Sequence, residues 1–234
     1  MIKLFAKSKG KDRGEIYVYE AIGEGWFGGI TAKSFSDIMK ELGSVKALDI
    51  FINSPGGSVF DGIAIYNMIV RHSASEKVVH IDGIAASIAS VIAMAGTERR
   101  IAENGMVMIH DPWGMSVGTA DEMRKSADSL DKVRDTLLDT YVSRTGGKRD
   151  QISKWMTEET WMNADEAIKN GFATTKTEGA TAAAFAQEAS FALLNKFTKT
   201  PAALKQKAKA PNVALAHMDM RIGQLSRRKN GAAA

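Results

Sequence analysis

The chain of 234 residues is 44% hydrophobic and 25% charged with a net charge of +4, an ordinary globular composition. No stretch supplies the roughly 20 uncharged apolar residues of a membrane span, and the lysine-studded start, Met1 to Lys11, lacks the apolar core of a secretory leader. The absence of cysteine excludes disulfides, thiolate nucleophiles and cysteine-held metals, so any nucleophile is oxygen or nitrogen.

In chain order, Ile16 to Glu20 reads as a short strand, and Ser34-Phe-Ser-Asp37 as a helix start followed by Ile38, Met39 and Leu42 and stopped at Gly43. Leu48 to Asn53 is a buried-type strand running into the turn Ser54-Pro55-Gly56-Gly57. Ile65, Met68, Ile69 and His72 then share one face of a helix. The unit repeats: Lys77 to Ile81 is a strand, Asp82-Gly83 a turn, and Ala85 to Ala95 an interior helix with Ser87 in its first turn. A further strand, Met106 to Ile109, delivers His110 ahead of Asp111-Pro112-Trp113-Gly114. Thr119 and Glu122 form a capping-box pattern that opens a long helix ending at Gly146-Gly147, and Asn163 with Glu166 opens a short one closed by Gly171. Alternating strands and helices with short connections define an α/β fold with parallel strands and right-handed crossovers.

The tail differs from this body. Residues 195–234 hold nine Lys and Arg against one acid, Asp219, a surplus of eight that leaves the first 194 residues at −4. With its Ala/Lys bias, Pro201, Pro211 and the run Arg227-Arg228-Lys229, it reads as a loosely ordered basic extension, solvated or set against a nucleic acid or an acidic protein.

Ser87 lies where the first turn of a buried helix presents free N–H groups and a positive dipole end, a place to stabilise an oxyanion. The alternative is a packing role for Ser87 and Ser90, with hydroxyls bonded to a carbonyl one turn earlier. The motif is not the G-x-S-x-G elbow of α/β-hydrolases. Of His72, His80, His110 and His217, His110 is best placed to face a cleft. A metal site on His110-Asp111 lacks a second ligand at suitable spacing. Gly56-Gly57 can aim a backbone N–H at a carbonyl oxygen or simply turn the chain, and the lysine and spacing of a phosphate loop are missing.

In this order and spacing, Ile52-Asn-Ser-Pro-Gly-Gly57, Gly83-Ile-Ala-Ala-Ser87, Met108-Ile-His110 and Glu166-Ala with Gly171 resemble the ClpP family of serine peptidases (family S14). Glu159-Thr-Trp161 and Ile92 to Gly96 narrow the resemblance to the ClpP-related head maturation proteases of phages and prophages. It covers about Glu15 to Ala173 and implies repeated β-β-α units of ClpP/crotonase type with a protruding handle, a strand plus a long helix, over residues 111–147. The implied division is a protease domain over 1–175 and an extension over 176–234.

By motif, Ser87 matches the nucleophile, His110 the general base, and the backbone N–H groups of Gly57 and Ile88 the oxyanion hole, with no cofactor or metal. Where the family carries an aspartate this chain has Glu159, with Glu158 beside it, and either glutamate is open as the acid. The resemblance also implies a polypeptide substrate and a cytoplasmic or prohead setting. The expected assembly is a homo-oligomer of heptameric rings stacked as a tetradecamer. Partners are capsid or scaffold proteins or, in the alternative, an ATP-driven AAA+ unfoldase. Two other readings are a catalytically silent assembly scaffold and an acyl-CoA enzyme of the crotonase fold.

Overall fold

The computed structural model describes residues 4–9, 12–24, 29–178 and 192–204. Among them, eight strands form one sheet in the order β1 (Leu4–Lys9), β2 (Arg13–Val18), β3 (Ala47–Ser54), β4 (Glu76–Ala86), β5 (Glu98–Ala102) and β8 (Thr175–Thr177), with β6 (Met106–Ile109) pairing β4 and β7 (Thr160–Asn163). β1 runs antiparallel to β2, and β2, β3, β4 and β5 are parallel. The sheet core of Ile16, Leu48, Ile50, Ile52, Val79 and Ile81 is fully or almost fully buried. These near-continuous apolar runs are what strands covered on both faces require.

Between the strands lie α1 (Ala32–Leu42), α2 (Val59–Arg71) and α3 (Ile88–Ala93). α1 begins at Ala32 rather than at Ser34, because Thr31 is the N-cap and Ser34 closes the capping box from within the helix. β4 also departs from the sequence reading. It runs through Asp82-Gly83, where a turn is expected, because the strand forks: Val78–Ile81 pair with β5, while Ile84–Ala86 pair with β6 (Met106–Ile109). Asn53 Oδ1 accepts the N–H of Ile84 at 3.2 Å and so supports the fork. The helix expected over Ala85 to Ala95 is therefore shortened to α3.

α4 (Ala120–Thr145) carries the expected Thr119–Glu122 capping box and ends on Gly146 in the left-handed conformation. α5 (Arg149–Thr157), β7 (Thr160–Asn163), α6 (Ala164–Lys169) and β8 (Thr175–Thr177) complete the body. The handle strand expected after His110 is not formed: residues 110–118 run as irregular chain between β6 and α4. Of the expected extension over 176–234, residues 176–178 and 192–204 are described. Residues 192–204 form two 3-10 turns, and Leu194 is buried with Ile84, Ala86 and Met108. His217 and the run Arg227-Arg228-Lys229 lie outside the described residues. Among the described residues, no helix is long and apolar enough to cross a membrane.

Candidate active site

The fork of β4 sets the position of Ser87. The strand ends at Ala86, α3 begins at Ile88, and Ser87 between them takes φ 54°, ψ −130°, a conformation rare for a residue with a β-carbon. Its N–H donates to the Met108 carbonyl at 2.9 Å, which ties this corner to β6. β6 in turn ends at Ile109 and projects His110 toward it, so Ser87 Oγ and His110 Nε2 are 2.7 Å apart. Ser90 follows the alternative weighed for both serines: its hydroxyl donates back to the Ser87 carbonyl at 2.6 Å, and it also meets the Tyr141 hydroxyl at 2.7 Å.

Facing this pair is the turn after β3. Gly56 (φ +88°) passes so close that a β-carbon there would lie 2.6 Å from the Ala86 carbonyl and 2.7 Å from Ser87 Cβ. Gly57 (φ +146°) is pressed against Ile22, whose carbonyl receives the Ser58 N–H at 2.8 Å. Only glycine meets both conditions, positive φ and no room for a side chain. Among the described residues, the N–H groups of Gly57 and Ile88 have no backbone acceptor, and Ile88 is the first residue of α3, where such groups are free by construction.

Burial pushes the His110 imidazole below its ordinary pKa of 6.5, opposed by the charges of Glu159 and Asp111 and by the Asp111 backbone. Burial thus favours the neutral ring, the form in which an imidazole nitrogen can accept a proton. Glu159, expected on the other ring nitrogen, is bonded elsewhere. Its carboxylate accepts from Trp161 Nε1 (3.2 Å), the Thr198 N–H (2.8 Å) and hydroxyl (2.9 Å), and the Lys199 N–H (2.6 Å). Burial pushes this carboxyl up, but these donors outweigh it and hold its pKa below the usual carboxylate value. Its negative charge thus acts on the imidazole through space. Glu158 ends α5 and approaches Lys154 at 3.8 Å on the surface.

Asp111 and Arg134 are additions that sequence reasoning missed. Asp111 accepts from Arg134 Nε at 2.6 Å and from the Thr157 hydroxyl at 3.0 Å, bracing the loop after His110 against α4 and α5. No local motif marks a pair 23 residues apart. Beside Ser87 and His110 opens a cavity of about 480 Å³ whose apolar wall includes Val59, Leu130, Val133 and Leu137. Among the described residues, no group of three or more His, Asp or Glu side chains is placed to hold a metal.

The mostly parallel sheet flanked by helices makes this an α/β protein, and the end of the sheet brings together a strained serine, an imidazole in contact with it and two amides without a backbone acceptor. Residues 28–177 match the family model described as Clp protease, and the chain belongs to that family and so to the serine-type peptidases. It is 34% identical over 148 residues to the ATP-dependent Clp protease proteolytic subunit 1 of Chlamydia abortus, covering 59% of this chain and 77% of that one. It is 35% identical to the proteolytic subunit of Porphyromonas gingivalis (54% of this chain, 57% of the relative). It is 36% identical to proteolytic subunit 2 of Thermobifida fusca (54% and 63%).

Proposed function

We propose that this chain hydrolyses peptide bonds with Ser87 as nucleophile and His110 as general base. The observation that carries the reading is the 2.7 Å approach of Ser87 Oγ to His110 Nε2 at the mouth of an apolar cavity. His110 Nε2 takes the hydroxyl proton as Oγ attacks the scissile carbonyl carbon. The Gly57 and Ile88 amides receive the developing oxyanion, and the imidazolium then protonates the leaving amine. Water, deprotonated by the same imidazole, hydrolyses the acyl-enzyme and restores the serine. The Glu159 carboxylate stabilises the imidazolium by charge rather than by a direct hydrogen bond. A fluorophosphonate probe is expected to label Ser87 in the intact protein; failure to label, or equal labelling of Ser87→Ala, overturns the reading.

Main-chain recognition of an extended polypeptide beside residues 112–118, within stacked heptameric rings, is the assembly proposed for this activity. Two partners use the same chemistry. Processing of phage capsid or scaffold proteins rests on the motifs Glu159-Thr-Trp161 and Ile92 to Gly96. Feeding by an AAA+ unfoldase is favoured by the relatives, which are named ATP-dependent proteolytic subunits. Degradation of a folded substrate only when unfoldase and ATP are added supports the second; cleavage of capsid or scaffold protein without them supports the first.

A further inference from the structure

The segment after the family-matched residues 28–177 reaches the same site. Leu194 anchors it in an apolar cluster flanked by Trp161, Phe197 and Leu204. The buried Thr200 closes the turn, its hydroxyl donating to the Leu194 carbonyl at 2.5 Å with the Phe197 carbonyl at 3.2 Å beside it. From this anchor, successive residues touch successive parts of the site. The Lys196 ammonium lies 5.0 Å over the Trp113 ring. The Phe197 ring stands edge to face with His110 at 4.7 Å between centroids. The Thr198 and Lys199 amides and the Thr198 hydroxyl hold Glu159.

An imidazole that must aim Nε2 at a hydroxyl has soft rotation about its ring bond, and an aromatic neighbour in contact restricts it. A glutamate with three free torsions gains a fixed place for its charge only when donors pin it. We propose that residues 193–200 are a working part of the peptidase site, with Phe197 the positioning residue for His110 and the Thr198 hydroxyl, together with the 198–199 amides, the positioning groups for Glu159. This rests on the reading of Ser87 and His110 as nucleophile and base. The segment also narrows the substrate cleft, because Leu193, Lys196 and Phe197 line the cavity.

The test is steady-state cleavage of a fluorogenic peptide with a large apolar residue before the scissile bond, using the full chain. Positioning predicts that Phe197→Ala lowers kcat about tenfold or more, since small misplacements of reacting groups are costly, and that Phe197→Tyr restores it. Exposure of the imidazole also moves the acid limb of kcat/KM to higher pH, as burial no longer holds its pKa down. The charges that face the ring (Glu159, Asp111 with its partner Arg134, and Lys196 at the cleft edge) stay unaltered. Thr198→Val, at an exposed site that leaves the apolar anchor intact, lowers kcat severalfold and serves if Phe197→Ala does not fold. A raised KM with unchanged kcat makes the segment only a wall, and a raised kcat makes it a plug; either overturns the inference. Failure of the wild type to label with fluorophosphonate removes the reading of Ser87 itself, whereas labelling with unchanged kinetics in both variants removes this inference alone.

Discussion

In the proposed reaction the protonation of His110, 2.7 Å from the Ser87 hydroxyl, sets the pH response. Since burial lowers the His110 pKa, the acid limb of kcat/KM is expected below 6.5. Removing the Glu159 charge takes away one influence that raises it, so Glu159→Gln should shift the limb further down and reduce kcat about tenfold, the worth of roughly 1.4 kcal/mol. A pH profile of both proteins checks the sign; an upward shift would mean that the carboxylate does not act on the imidazole through its charge. Gly57 answers a separate question. Alanine there meets both a φ of +146° and the Ile22 backbone, so the turn must move and carry its N–H off the proposed oxyanion position. Gly57→Ala should lower kcat about 100-fold, the order found when one oxyanion donor is lost, with the melting temperature as control for folding.

Strands β2, β3 and β4 are stapled across their faces by one carboxylate. Asp49 accepts from Arg13 at 2.6 Å and from His80 Nε2 at 3.0 Å, while Arg13 also reaches Glu76 at 3.0 Å. Burial pushes the Asp49 pKa up, but the hydrogen bonds from His80 and Arg13 prevail and hold it below the ordinary value. A folded pKa below the unfolded one adds stability above the unfolded value and loses it as pH falls through the folded value. Asp49→Asn is expected to cost about 2 kcal/mol at neutral pH, with the difference from wild type shrinking in acid. Thermal melts across pH measure it, and a constant difference contradicts the assignment. Such long-range staples were not legible in the sequence, whereas the local devices were: the Thr119–Glu122 and Asn163–Glu166 capping boxes and the Gly146 stop are each complete within four residues. β5 was missed because Glu98–Ala102 reads as charged. Its Arg99 is buried all the same, its guanidinium donating to the carbonyls of Gly96, Phe172, Arg144 and Gly171. The residue types and order of the candidate site were readable, but the positive φ of Ser87 and the reach of Phe197 to His110 depend on distant packing.

On the scale of the whole molecule, the segment between β6 and α4 stands out because it is apolar and unpaired. Met115 is 94% exposed and Val117 99%, flanked by Trp113 and Met123 at about half exposure. Among the described residues, no backbone–backbone hydrogen bond involves residues 112–118. Exposed apolar side chains on a run of unsatisfied backbone groups are what a strand has before its partner arrives. A strand needs a neighbour to take up its backbone groups, and among the described residues this chain offers residues 112–118 none, which is why the expected handle strand is not formed. In the stacked double ring proposed above, pairing of these segments would bury Met115 and Val117 and steady the Asp111–Arg134 brace just before them, and with it His110. Replacing both residues by lysine leaves the core untouched and places like charges at each contact. The double variant is expected to fall from the large assembly to smaller species by mass photometry, and to lose peptidase activity in parallel. Smaller species with full activity would separate the site from assembly, and an unchanged mass would place the subunit interface elsewhere.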